Sequence, residues 1–206
     1  MSYIFSNPDI MLELLWEHII LVLGSLMIAI LISIPLGYYV HGKEKLTSIA
    51  LGVLGMLYTI PSLVLMILLL PLFGLNEMTV IVALVIYCQT ILVRNVIAGL
   101  DAIEPGIIEA AQGMGLTKPQ QFIQIQLPLM LPVLVAGIRL SVVVATAIAT
   151  VGAMFGAGGL GTLLFNGISQ GRFDKIVAGS FAVALLAWGL NWLLQHYEKR
   201  ISTPYS

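Results

Sequence analysis

The 206-residue chain is 59% hydrophobic and 9% charged, with a mean hydropathy of +1.04 and a net charge of −1. Soluble domains carry about 25% charged residues, so a chain this apolar cannot cover a globular surface and reads as an integral membrane protein. The near-neutral charge, with no Lys/Arg cluster, excludes nucleic acid as a partner, and the single cysteine, Cys88, excludes an internal disulfide or a multi-cysteine metal site.

In chain order, the stretch from Met1 to His18 holds Asp9, Glu13 and Glu17 but no Lys or Arg, so it lacks the basic start of a secretory signal. A span needs about 20 apolar residues to cross about 30 Å of hydrocarbon, and five segments qualify: Ile19–Val40, Ile49–Leu75, Met78–Val93 running on toward Leu100, Leu140–Leu164 and Ile176–Tyr197. Cys88 falls in the third and reads as a small packed residue. With the N-terminus outside, Lys43, Lys45, Arg94, Lys118, Arg139, Lys199 and Arg200 fall inside, and only Arg172 and Lys175 outside. The positive-inside rule therefore predicts an all-α polytopic protein with five transmembrane helices, N-out and C-in. Arg172 and Lys175 are the residues that run against it.

Between the third and fourth spans lies the longest polar stretch, about residues 101–128. Pro105 suits a helix's first turn, and Asp101 and Glu104 place negative charge near its positive dipole end. Ile107, Ile108, Ala111 and Met114 recur at roughly helical spacing. Gly113 and Gly115 weaken that helix, and Thr117-Lys118-Pro119 starts another. The expectation is two short helices joined by a tight glycine turn at the membrane's inner face.

This stretch carries Glu109-Ala110-Ala111, then Gly115, Ile125 and Leu127-Pro128. On those seven positions the chain resembles the permease subunits of binding-protein-dependent ABC importers, and the resemblance covers nearly all of it. The resemblance implies one permease domain over residues 1–206 in a bacterial cytoplasmic membrane. The 101–128 segment would dock in a groove of a separate ATPase subunit, present in two copies. A second permease subunit, same or sister, and an extracytoplasmic substrate-binding protein would complete the system. In that setting Ala110 and Ala111 would let a partner come close, Gly115 would supply a turn with positive φ, and Glu109 would offer a hydrogen-bonding carboxylate. ATP would be bound by the partner, so the permease itself needs no cofactor. The chain has no G-x-x-x-x-G-K-[ST] motif and reads as non-catalytic.

Other features bear on the pathway. Pro61 lies in the middle of the second span, where it removes a helix hydrogen bond and frees the carbonyl of Leu57. Two readings stand: a packing kink, or a hinge or gate with Tyr58, Thr59 and Ser62 facing the pathway. Thr146 and Thr150 are polar side chains at depth, as are Gln89 and Thr90. Arg94-Asn95 and Arg139 either face the bundle interior or snorkel to an interface. "FGAGGLG", from Phe155 to Gly161, spells a dinucleotide fingerprint but follows an apolar span rather than a strand. It reads instead as a glycine-rich break that lets helices approach.

A passive channel would need no such polar segment, and a membrane enzyme would need a catalytic cluster. His18, His41 and His196 are scattered near span ends, and no acidic pair lies within a span. Within the importer permeases the chain looks most like the osmoprotectant group, which carries glycine betaine, carnitine and choline. That likeness rests on "TIPSL" at 59–63, "RNVIAGL" at 94–100, "AGIR" at 136–139 and "GAGGLG" at 156–161. Methionine-type permeases, also five-span, share the last region and are the alternative.

Overall fold

Helices dominate because lipid offers the backbone no hydrogen bonds, so each spanning segment must satisfy its own. The structure, a computed structural model, describes residues 2–202, and every regular element among them is helical. In chain order these are α1 (Ser2–Ser6), α2 (Pro8–Val40), α3 (Glu44–Thr59), α4 (Ser62–Phe73), α5 (Glu77–Asp101), α6 (Pro105–Gly113), α7 (Lys118–Gln121), α8 (Leu127–Gly152), α9 (Gly161–Ser169) and α10 (Phe173–Ser202). A π-helical turn, Phe122–Gln126, feeds α8, and a 3-10 turn, Ala153–Phe155, ends it.

Among the described residues four helices are long and apolar enough to cross a membrane, and α3 with α4 makes a fifth candidate if the bent pair is one span. The hub is α5: 67% of its most apolar window is buried, against 33% for α2 and for the helix leading through α8, and 11% for α10. Glycines allow the close approach that membrane helices use in place of a hydrophobic driving force. A Cβ at Gly37 on α2 would fall 2.5 Å from Val96 of α5, and one at Gly152 on α8 would fall 2.5 Å from Val80. The main core joins Leu26, Ala29, Leu84, Cys88, Leu92, Val142 and Ala149 from these three helices.

Two sets of contacts define the ends of the bundle. At one, His41 Nε2 meets Asp101 Oδ1 at 2.9 Å and ties the C-terminal ends of α2 and α5. At the other, the amide of Gly159 donates to Glu17 Oε2 at 2.8 Å, and Gly156 lies against the Leu75 carbonyl. Hence α2 and α5 run in one direction and α8 in the other.

Three expectations need correction. The fourth long helix is Leu127–Gly152, not Leu140–Leu164. Arg139 does not mark its boundary, because its Nη1 donates to Glu198 Oε2 of α10 at 2.7 Å and the helix continues through it. The glycines Gly156, Gly158 and Gly159 all take positive φ and stop the helix early. The second span is not one helix: α3 and α4 bend by 99° at Ile60-Pro61. The Leu57 carbonyl is not left free there, since the Ile60 amide reaches back to it at 3.3 Å.

Candidate functional site

The segment bearing Glu109 folds as the helical punctuation requires. Pro105 occupies the first turn of α6, where its missing N–H costs nothing. The helix ends in a Schellman arrangement: the Leu116 amide donates to Ala111 O at 3.1 Å and the Gly115 amide to Gln112 O at 2.9 Å. Gly115 sits at φ +79° with nothing within 4 Å of where a Cβ would lie, so backbone conformation, not space, selects glycine here. The second helix opens with Gln120 Oε1 accepting from the Thr117 amide at 2.8 Å. Buried Gln121 donates to Leu116 O at 2.7 Å and closes the turn.

The structure divides the seven signature positions by face. Glu109 and Ala110 are exposed, whereas Ala111 is fully buried within the chain. The small surface open to close approach is therefore Ala110, and Ala111 packs inward. Ile125 and Leu127 are half-buried and Pro128 is exposed in the first turn of α8. Leu127 joins a small core of Val96, Leu100, Met130 and Leu134, where the Phe122 ring also meets Tyr38 of α2 at 4.6 Å. So α6 and its turn ride on elements fixed to three long helices, while Ile107, Met114 and Ile123 remain exposed around it.

A second set of residues gathers at the α3–α4 break. Tyr58 is 41% exposed and meets the buried Tyr87 ring edge-on at 5.5 Å. The Tyr87 hydroxyl donates to the Ile60 carbonyl, so it both caps the break and positions Tyr58. Thr59 returns its hydroxyl to Met56 O, and Pro61 and Ser62 start α4. Two turns further along α5, Arg94 is exposed, and its Nη2 lies 3.6 Å from the Cβ position of Gly55 on α3. Among the described residues it has no hydrogen-bond or ion-pair partner.

The remaining pathway candidates lie elsewhere. Asn95 is half-buried, donates to Ile91 O and packs on Gly137 of α8. Arg139 is held by Glu198. Thr146 is fully buried, and Thr146 and Thr150 each return their hydroxyls to the carbonyl four residues back, Val142 and Thr146. These groups find partners within their own helix or, for Arg139, on α10, and do not join the Tyr58–Arg94 set.

Sequence reasoning missed the clasp at the opposite end. Glu17 holds the Gly159 amide, and buried His18 Nε2 lies 3.2 Å from the Thr146 carbonyl. A Cβ at Gly158 would fall 2.5 Å from Glu17 Oε2, and one at Gly159 would fall 2.9 Å from His18 Nδ1. The available signal was an acidic residue and a histidine side by side within an apolar run. Their partners lay 142 and 128 residues away.

The family described as "Binding-protein-dependent transport system inner membrane component" matches residues 25–203. The chain is 36% identical to the osmoprotectant import permease protein OsmW of Salmonella typhimurium, over 98% of this chain and 96% of that protein. It is 32% identical to the carnitine transport permease protein OpuCB of Listeria monocytogenes (98% and 92% covered). It is 29% identical to the choline transport system permease protein OpuBB of Bacillus subtilis (98% and 93%). Among solved structures, an inward-facing MetNI methionine ABC transporter aligns with TM-score 0.83 at 20% identity, covering 94% of this chain and 96% of the other. A bacterial alginate ABC transporter aligns with TM-score 0.71 at 14% identity (95% and 80%).

Proposed function

The chain belongs to the binding-protein-dependent transport system inner membrane components, and from that premise we propose that it forms the pathway by which an ABC importer takes up a quaternary-amine osmoprotectant such as glycine betaine, carnitine or choline. The substrate class rests on relatives at 29–36% identity, matched over nearly their full length, whose names carry osmoprotectants, carnitine and choline. The methionine-type alternative rests on a likeness of fold at 20% identity, and fold alone does not fix a substrate.

The observation that carries the mechanism is the exposed pair Glu109-Ala110 on α6, closed by the Gly115 turn. We assign this pair, with Ala111 packed beneath it, as the contact for the ATPase, two copies of which serve two permease subunits. Ile125, Leu127 and Pro128 then pass the motion into α8. A membrane protein's exposed loops are ordinarily polar, so the exposed Ile107, Met114 and Ile123 around α6 fit a surface that a partner covers. In this reading five crossings run N-out and C-in, with the bent α3–α4 pair as the second. Lys43, Lys45, Lys118, Lys199 and Arg200 gather at the inner end and only Arg172 and Lys175 at the outer. The whole of 1–206 acts as one permease domain in the bacterial cytoplasmic membrane, and the outer end receives solute from a binding protein. The hydrolytic chemistry belongs to the ATPase, and this chain contributes the pathway and its lever.

The test is uptake by proteoliposomes holding the permease, its ATPase and its binding protein. Labelled glycine betaine or carnitine should enter only with internal ATP, and excess unlabelled quaternary amines should compete. Competition by methionine alone would overturn the substrate class, and uptake without the ATPase would overturn the mechanism.

A further inference from the structure

The Tyr58–Arg94 set goes beyond the assignment of a pathway, although it rests on that assignment. An arginine within a spanning helix has three ways to exist: snorkelling to an interface, pairing, or facing water. Pairing is absent among the described residues. Snorkelling fails on depth. The guanidinium lies against Gly55, eleven residues along α3 from Glu44, which at 1.5 Å per residue is about 16 Å. That is near the middle of a hydrocarbon layer about 30 Å thick. The side chain points back toward the N-terminus of α5, as helical side chains do, and so away from the Asp101 end. The exposed face of α3 and α5 at this level therefore lines water.

On the same face of α3, Tyr58 stands three residues from Gly55. Side chains at that spacing are neighbours, about 5–6 Å apart at Cβ. A cationic guanidinium and an exposed aromatic ring thus sit roughly one helical turn apart. Gly55 leaves room for the first, and Tyr87 orients the second through an edge contact fixed by its own bond to Ile60. The guanidinium fork suits a carboxylate, and the ring face suits a quaternary ammonium. We propose that Arg94 and Tyr58 form a cargo site at mid-membrane that recognises both ends of a small zwitterion carrying a carboxylate and a quaternary ammonium. Choline has no carboxylate, so it meets Tyr58 but gains nothing from Arg94.

The test compares initial uptake of glycine betaine, carnitine and choline by the reconstituted importer. Arg94→Gln should cut uptake of the two carboxylate-bearing solutes about tenfold and choline far less, so the betaine-to-choline ratio falls. Arg94→Lys, which keeps the charge but not the fork, should restore only part of that ratio. Tyr58→Leu should lower all three about fivefold while Tyr58→Phe changes little. Equal loss of all three solutes in Arg94→Gln, or no loss, overturns the site. If Arg94→Gln does not assemble, wild-type uptake in Tyr58→Leu overturns it instead. Wild type that carries choline but neither carboxylate-bearing solute also removes the site while leaving the importer reading intact. Wild type that takes up none of the three defeats the importer's substrate class itself.

Discussion

The two ends of this bundle are built on opposite plans. At the Glu17–Gly159 end the chain closes on itself: a carboxylate takes an amide, a buried histidine sets Nε2 on the Thr146 carbonyl while its Nδ1 has no hydrogen-bond partner among the described residues, and glycines leave no space for a side chain. At the Glu109 end the chain stops short. A nine-residue helix ends in a glycine turn and carries exposed Glu109 and Ala110. Both ends use glycine at positive φ, for different reasons. Gly159 has no room for a Cβ, whereas Gly115 has open space and needs only the backbone angle. On the proposed assignment the first end is structural, where substitution should cost stability, and the second is the ATPase contact, where it should cost transport.

That contrast breaks or sharpens in four ways. The largest effect is expected from Gly159→Val, which combines a disfavoured φ with a clash on His18. About 1–2 kcal/mol of backbone strain adds to about 1–3 kcal/mol of overpacking, and thermal unfolding in detergent should show a large drop in Tm or loss of folded protein. Glu17→Ala comes next: the Gly159 amide loses a charged acceptor, worth about 1.5–3 kcal/mol, while Glu17→Gln retains most of it. Gly115→Ala has space for its methyl and carries only the strain of a left-handed residue, about 1 kcal/mol. Its Tm should shift by a few degrees, yet ATP-driven uptake should fall severalfold because the turn orients α6. The smallest stability effect belongs to Glu109→Ala, an exposed surface change expected within about 0.5 kcal/mol, again with uptake clearly reduced. A Glu109→Ala variant that melts early but transports normally would reverse the assignment of the two ends.

How legible this was in sequence depended on distance along the chain. The α6–α7 pair is local, written in Pro105, Gly113, Gly115 and Thr117, and it forms where those residues place it. The break at Pro61 is equally local, with Ile60 and Pro61 both in extended backbone, but the Tyr87 hydroxyl that meets the Ile60 carbonyl there comes from another helix and is not legible locally. The fourth span was misplaced because an uncharged window is a poor ruler once an arginine finds a partner. Glu198 lies 59 residues from Arg139, and hydropathy carries no trace of the pair. The inward turn of Ala111 beside exposed Ala110 depends on the packing of α6 against its neighbours, which a run of two identical residues does not reveal.

The central claim is that the Glu109–Gly115 end meets the ATPase, and cross-linking reads it most directly. With Ala110→Cys in the reconstituted complex, a thiol-to-amine reagent should join permease and ATPase, and the yield should change with nucleotide. Ala111→Cys, pointing into the chain, should give little product, and native Cys88 is fully buried and should stay silent. An ATPase adduct from Ala110→Cys alone is the expected result. No adduct from position 110, or equal adducts from 110 and 111, would contradict the contact.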